Sequence, residues 1–211
     1  PCAIVPSRRG SNRPCSHVGD LSLAASQQIR VFRRVLLRWY ARHGRDLPWR
    51  QTQNPYHILV SEFMLHQTQV DRVLPKYEQF LKAFPTFEAL AAAPLEDVKQ
   101  LWRPLGYNFR PGRLQRIAQQ VVTASGGQLP DTLEGLMAMR GIGRYTAGAI
   151  LSFAFHQDAP IVDPNVRRLL RRVFDVPGDP LHAPANHRIW ELAQTVIPRG
   201  RAHEFNSALL D

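Results

Sequence analysis

Apolar residues recur at intervals of three and four along most of the chain, and no segment shows the alternating pattern of a β-strand. An amphipathic helix is stable only when its apolar stripe packs against another element, so such a chain folds as helix on helix. The sequence predicts an all-α fold, and 211 residues suffice for a core as one domain or as two lobes. The predicted helices cover residues 24–44, 56–67, 70–84, 86–101 (broken at Pro94), 114–122, 133–139, 147–155, 166–174 and 186–196.

The first 22 residues differ from the rest, because Pro, Gly, Arg and Ser alternate there without periodicity. This composition is typical of a disordered basic arm; an irregular strand packed on the body is the alternative. The arm lacks the apolar core of a secretory signal, and no run of eighteen apolar residues predicts a membrane span. Both cysteines, Cys2 and Cys15, lie in it, so we expect no disulfide scaffold and an intracellular protein of the cytoplasm or nucleoid.

The charge balance points to a polyanionic partner. There are 27 Lys and Arg residues against 17 Asp and Glu, a formal net charge of +10. Basic side chains gain free energy at a phosphate backbone by releasing condensed counterions, so nucleic acid is the leading candidate. The alternative is a protein that its charge merely keeps soluble. In the first helix, Ile29, Phe32, Leu36, Trp39 and Tyr40 are predicted to form one face, and Arg30, Arg33, Arg34, Arg38 and Arg42 a solvated or phosphate-facing one.

Gly141-Ile142-Gly143 forms a tight turn between two predicted helices. Two glycines around one aliphatic residue permit backbone torsions that side chains forbid, so the amides of the turn can converge on one point. A helix N-terminus that starts there attracts an anion, usually a phosphate. A plain connector between helices is the alternative.

Two carboxylates stand out. Glu62 lies in a strongly apolar predicted helix, where it either faces solvent or is held in surroundings that raise its pKa. Asp163 precedes Pro164, which is the pattern of a helix N-cap followed by proline at the first helical position. A capping role does not exclude a chemical one, since the cap fixes the direction of the carboxylate.

Four separated motifs together resemble the helix-hairpin-helix (HhH-GPD) DNA glycosylases, most closely the MutY-type adenine glycosylases. They are Ser61–Val70, Leu105-Gly106-Tyr107, Gly141–Ala147 and Val162–Val166. The resemblance runs from about Leu47 to Asp211. It implies a two-lobed fold with the active site between the lobes. One lobe would be a six-helix barrel of residues 48–157 that contains the hairpin, and the other would combine residues 24–47 with 158–211.

The resemblance also implies a reaction, the hydrolysis of the N-glycosidic bond of a flipped adenine mispaired with 8-oxoguanine or guanine. Glu62 would protonate the purine and act on the incoming water, and Asp163 would stabilise the cationic sugar. Tyr145 and Asn165 would orient these groups. Bifunctional relatives have a lysine where Tyr145 stands, so we expect a monofunctional enzyme without AP-lyase activity.

The resemblance implies that the partner is double-stranded DNA with a mismatch or damaged base. We expect the protein to be a monomer. The DNA-binding candidates are His66, Gln67, Thr68, Tyr107, Arg140, Gly141, Ile142, Gly143, Arg144 and Thr146. A monovalent cation is implied at the hairpin, on Met139 and Gly141. His66, Asn108 and Pro164 depart from the family pattern, which usually has glutamine, tyrosine and a small residue at these positions.

Two alternatives remain open. One is a thymine or uracil glycosylase acting opposite guanine, and the other is a non-catalytic hairpin protein that only binds DNA. MutY-type enzymes continue into a four-cysteine iron–sulfur loop and a further domain, for which these residues supply no ligands. The chain is therefore expected either to be truncated or to lack the cluster, and no cofactor is predicted.

Overall fold

The computed structural model describes residues 23–106, 109–178 and 182–211. The predicted basic arm, with Cys2 and Cys15, lies outside the described residues, and so do Tyr107 and Asn108. Within the described ranges all regular structure is helical, which confirms the all-α prediction. No helix in these ranges is both long enough and apolar enough to cross a membrane.

The described part of the chain contains eleven α-helices and two short 3-10 helices, at Pro48–Arg50 and Arg103–Leu105. The α-helices are α1 Leu23–His43, α2 Pro55–Leu65, α3 Val70–Ala83, α4 Phe87–Ala92, α5 Leu95–Trp102, α6 Phe109–Ser125, α7 Leu133–Ala138, α8 Arg144–Phe153, α9 Pro164–Phe174, α10 Ala183–Val196 and α11 Ala202–Leu210.

Helix starts follow side-chain caps more closely than apolar periodicity. The side chains of Asn54, Thr132 and Asp163 accept hydrogen bonds from backbone amides in the first turns of α2, α7 and α9. Proline occupies the first helical position of both α2 and α9. Because Asp163 is the cap, α9 begins at Pro164, two residues before its predicted start.

The described helices enclose two apolar cores. The larger is built mainly from α2 to α8, and its fully buried side chains include Leu59, Phe80 and Trp102. The smaller joins α1 to α9, α10 and α11 around Val166 and Phe205. The chain passes from the first core to the second between Ile161 and Val162. We propose that these cores are the two expected lobes, with a boundary a few residues later than the predicted one.

The segment that crosses between the cores is held on both sides. Asn206 of α11 is buried, and its Nδ2 donates to Ser152 Oγ (2.8 Å) and to the carbonyl of Ala159 (2.9 Å). On α8, Gly148 lies so close to the segment that a Cβ there would overlap the carbonyl oxygen of Pro160. These contacts fix the path that leads to Asp163.

Helix α1 corrects the prediction of its two faces. Arg33 was placed on the solvated or phosphate-facing side, but its guanidinium donates to the carbonyls of Thr195, Val196 and Ile197 at the C-terminal end of α10 (2.7–2.9 Å). Trp39 was placed on the apolar face, yet it is 40% exposed, whereas Leu37 is buried. Periodicity alone did not reveal which neighbour α1 packs against.

Gly148→Ala should lower the free energy of unfolding by about 1–3 kcal/mol, because the new methyl meets a backbone carbonyl that cannot rotate away. Gly112→Ala is the matched control in α6, where the added Cβ would lie 3.7 Å from Leu95 Cδ1, an ordinary contact. That variant should be neutral or stabilised by up to about 1 kcal/mol, since alanine favours a helix more than glycine does. Urea denaturation of both variants checks this, and equal stabilities would contradict the close-approach argument.

Candidate active site

The carboxyl of Glu62 is buried inside the larger core. Almost every residue of α2 from Tyr56 to Met64 is buried, so this helix has no solvated face on which Glu62 could lie. The side chain is only 4% exposed. Burial raises the pKa of Glu62 to about 7; a hydrogen bond from Tyr145 opposes the rise, and the nearby charge of Asp163 adds to it. The solvent-facing alternative for Glu62 is therefore excluded.

Tyr145 lies in the first turn of α8 and brings its phenol to Glu62. Burial raises the pKa of Tyr145 well above its ordinary value, and the charges of Glu62 and Asp163 raise it further. The phenol therefore stays protonated at neutral pH and donates to the Glu62 carboxyl.

Asp163 is the N-cap of α9, a helix of the smaller core. Its Oδ1 accepts from the backbone amide of Val166 (2.6 Å), and its Oδ2 accepts from Asn165 Nδ2 (3.3 Å). Asn165 Oδ1 in turn accepts from Arg168 (2.8 Å). Pro164 fits its position because the first residue of a helix needs no backbone N–H. The capping interaction thus fixes the orientation of the carboxylate.

Two cavities meet at Glu62, Tyr145 and Asp163. We call the first the inner cavity; it has a volume of about 620 Å³, and Trp49 and Arg50 contribute to its walls. The second, the outer cavity, has a volume of about 570 Å³ and lies between the loop that follows α2 and the glycine turn before α8. Both volumes are in the range of small-ligand sites.

The loop between α2 and α3 contains His66, Gln67 and Thr68, and the outer cavity lies against it. Gln67 adopts the left-handed conformation (φ 57°), which side chains rarely take. Burial, together with the positive charges of Arg110 and Arg113, lowers the pKa of His66. His66 is therefore a neutral ring at physiological pH, and it lies between Phe63 and Tyr145.

Arg110, a buried residue of α6, holds this loop and was missed by the sequence analysis. Its guanidinium donates to the backbone carbonyls that end α2, to Thr68 Oγ1 (3.0 Å) and to the carbonyls of Leu105 and Gly106. Nothing in the local sequence distinguishes this arginine from the solvated arginines around it. The only signal was the turn at Leu105-Gly106-Tyr107, which shortly precedes it.

The glycine turn corrects one prediction. Gly141 has φ 114°, and a Cβ there would meet the Arg113 side chain at 3.0 Å, so its glycine is required by conformation. Gly143 caps α8 with φ −95°, which any residue can adopt, and a Cβ there would meet nothing within 4 Å. The expectation of unusual torsions at both glycines is therefore wrong for Gly143.

The other hairpin candidates are partly engaged within the protein. The amide of Arg140 donates to Gln120 (3.1 Å), the Arg144 guanidinium lies 4.3 Å from the Trp190 ring, and Ile142 is buried. Thr146 is buried where it borders the outer cavity.

The Met139 carbonyl already accepts from the Ile142 amide (3.1 Å) and retains one lone pair, so the cation at Met139 and Gly141 stays a prediction. The described ranges hold no cluster of three or more His, Cys, Asp or Glu that could bind a metal.

A model of the HhH-GPD superfamily of base excision DNA repair proteins matches residues 60–195. The chain is 44% identical to an adenine DNA glycosylase of Rattus norvegicus over 87% of its own length, but it spans only 37% of that relative. It is 36% identical to a thymine-DNA glycosylase of Aeropyrum pernix, covering 87% of this chain and 84% of that one.

Solved structures agree on the fold. A thermostable thymine-DNA glycosylase superposes with a TM-score of 0.81 at 29% identity, covering 89% of this chain and 87% of the other. Endonuclease III trapped on DNA superposes with a TM-score of 0.74 at 22% identity, covering 87% and 84%. These likenesses confirm the all-α DNA glycosylase fold expected from the motifs.

Glu62→Gln should stabilise the protein increasingly as the pH rises. Because the folded pKa is raised from 4.5 to about 7, the protonated carboxyl is fully accommodated below pH 4.5, and stability is lost progressively between pH 4.5 and about 7. A neutral glutamine avoids this loss, so the variant should exceed the parent by about 3 kcal/mol at pH 8.5 and by little at pH 4.5. Denaturant titrations at the two pH values measure the difference, and a pH-independent difference would contradict the buried, titrating carboxyl.

Proposed function

We propose a function for this chain from one premise, that it belongs to the HhH-GPD superfamily of base excision DNA repair proteins. The chain hydrolyses the N-glycosidic bond of an adenine opposite 8-oxoguanine or guanine in double-stranded DNA, and it leaves the strand intact. The observation that carries this proposal is the buried Glu62 carboxyl, whose pKa of about 7 lets it hold or release a proton near neutral pH. The adenine DNA glycosylases among its relatives support the choice of base.

In the first step, the flipped adenine enters the inner cavity and Glu62 donates its proton to a ring nitrogen of the purine. The bond between the sugar C1′ and the base nitrogen then breaks, and both bonding electrons leave with the base. Protonation lets the base depart as a neutral molecule, which lowers the barrier. Tyr145 supports the carboxylate that remains, because its phenol donates to Glu62.

In the second step, the sugar carries a positive charge that an ionised Asp163 stabilises. The Asp163 carboxylate is kept in place by its capping of the α9 N-terminus and by the Asn165 side chain, which donates to one of its oxygens. Glu62, now deprotonated, takes a proton from the water that adds to C1′ and is thereby reset for the next turnover.

The absence of an amine favours a monofunctional reaction. AP-lyase activity requires a nucleophilic amine that forms a Schiff base with the sugar, and the corresponding position is the phenol of Tyr145. Among the described residues, no lysine lines either cavity.

A thymine or uracil glycosylase acting opposite guanine is the second candidate. It is favoured by one observation: the thymine-DNA glycosylase of Aeropyrum pernix aligns with the chain over most of both lengths. A non-catalytic DNA-binding protein is less well supported, because such a protein gains nothing from burying Glu62 beside Tyr145 and Asp163. In either enzymatic case we propose an intracellular monomer that binds mismatched DNA.

Glu62→Gln and Asp163→Asn should each slow adenine release from an A·8-oxoguanine duplex by about 10²–10⁴-fold, because each removes a group that acts in the reaction. A single-turnover assay with alkali cleavage, run on A, T and U mispairs, measures this and identifies the base. The control is binding of the same duplexes, which Glu62→Gln should leave nearly unchanged. Borohydride should trap no covalent adduct; unchanged rates in the variants would reject the mechanism, and a trapped adduct would reject monofunctionality.

Gly143→Ala should weaken binding to a duplex with an abasic-site analogue by about 10–100-fold, because its methyl would occupy the space in which a DNA phosphate meets the α8 N-terminus. Its melting temperature should stay that of the parent, since the residue has an ordinary backbone conformation and its Cβ position is open. Gly141→Ala is the contrasting control and should lose stability, because its φ is 114°. Fluorescence anisotropy and thermal unfolding distinguish the two, and parent-like affinity of Gly143→Ala would refute the phosphate contact.

A further inference from the structure

Phe109, the first residue of α6, exposes 61% of its surface, the highest fraction among the exposed large apolar residues of the described ranges. A single exposed apolar side chain needs no explanation by itself. The position of this one does, because its ring lines the outer cavity together with Gln67 and Gly143.

Arg113 lies one helical turn after Phe109 and connects it to the glycine turn. Its guanidinium carbon is 5.8 Å from the centre of the Phe109 ring, within the range of a cation–π interaction. Nearer the backbone of the same side chain, the Cγ lies where it would contact a Cβ at Gly141 at 3.0 Å. An aromatic face and a cation therefore stand together between the α2–α3 loop and the hairpin.

We propose that Phe109 and Arg113 form a stacking platform for the nucleobase adjacent to the flipped nucleotide in the same DNA strand. The inference rests on the proposed function, and it adds a binding site for an unflipped base. When a nucleotide leaves the duplex, its neighbour loses a stacking surface. An exposed phenyl ring at the cavity next to the reacting groups replaces that surface.

A nucleobase fits this surface better than a protein partner does. The outer cavity is bordered by Glu62 and Asp163, which react with the flipped nucleotide, and by Gly143, where the strand's phosphate is proposed to bind. In that arrangement, the neighbouring base of the same strand would face the same cavity. The Arg113 guanidinium adds charge complementarity, since it can approach a phosphate while it also lies over the ring.

Stacking on an aromatic face is largely independent of base identity, because every base has a π-face. The platform should therefore strengthen binding with little preference for the flanking sequence. Phe109 is not among the groups that touch the reacting atoms, so its role lies in holding the opened DNA.

The test uses a duplex with an abasic-site analogue and 2-aminopurine at the neighbouring position, so that binding is measured without cleavage. Phe109→Ala should weaken binding about 5- to 100-fold and abolish the quenching of 2-aminopurine that the parent produces. Phe109→Trp should restore both to within about 2-fold of the parent, whereas Phe109→Leu should not restore quenching. Trp39→Ala removes an exposed aromatic side chain of α1 that borders neither cavity, and it should change neither readout.

The platform is refuted if Phe109→Ala binds and quenches as the parent does, or if Phe109→Leu restores both properties, because an apolar contact would then suffice. Base release by the parent is measured separately on the A, T and U mispairs. A different result is that the parent releases no base and yet binds the duplex and quenches 2-aminopurine only when residue 109 is aromatic. That result would support the platform and reject the proposed reaction. A parent that binds no duplex overturns both.

Discussion

The burial of one carboxyl group governs the rest of this structure. Glu62 lies in α2, a helix without a polar face, and the loss of solvation raises its pKa to about 7. Such a group is costly to ionise, so its surroundings must supply partners for it. Tyr145 from α8 donates a hydrogen bond, and the inner and outer cavities give it access to a ligand. The two helices that build this environment both belong to the larger core.

The second carboxyl comes from the smaller core, so the site exists only because the two cores are held in a fixed relation. Gly148 and Asn206 fix the segment that crosses between them, and the N-cap geometry then orients Asp163. Beside the outer cavity, Arg110 ties the end of α2 to the turn at Leu105 and Gly106. Rigid elements thus position groups that local sequence could not place.

Apolar periodicity predicted the helical class, and the family resemblance implied that Glu62 and Asp163 act together. The predicted faces of α1 were wrong, because Arg33 caps α10 and Trp39 is partly exposed. The unusual torsions expected at Gly143 are absent. Arg110 and Phe109 were missed. The burial and hydrogen bonds of the arginine and the exposure of the phenylalanine beside a cavity depend on tertiary contacts, which residue type alone does not reveal.

The sequence by itself determined that the chain forms amphipathic helices, because periodicity requires only that one face of each helix be buried. It also supplied acids, a phenol and glycines in an order that indicates DNA glycosylase chemistry. Only the tertiary structure decided that Glu62 is buried rather than solvated, that Tyr145 donates a hydrogen bond to it and Asp163 lies near it, and which glycine needs its backbone conformation. Desolvation and hydrogen bonding depend on the neighbours in space, and apolar periodicity does not specify what those neighbours are.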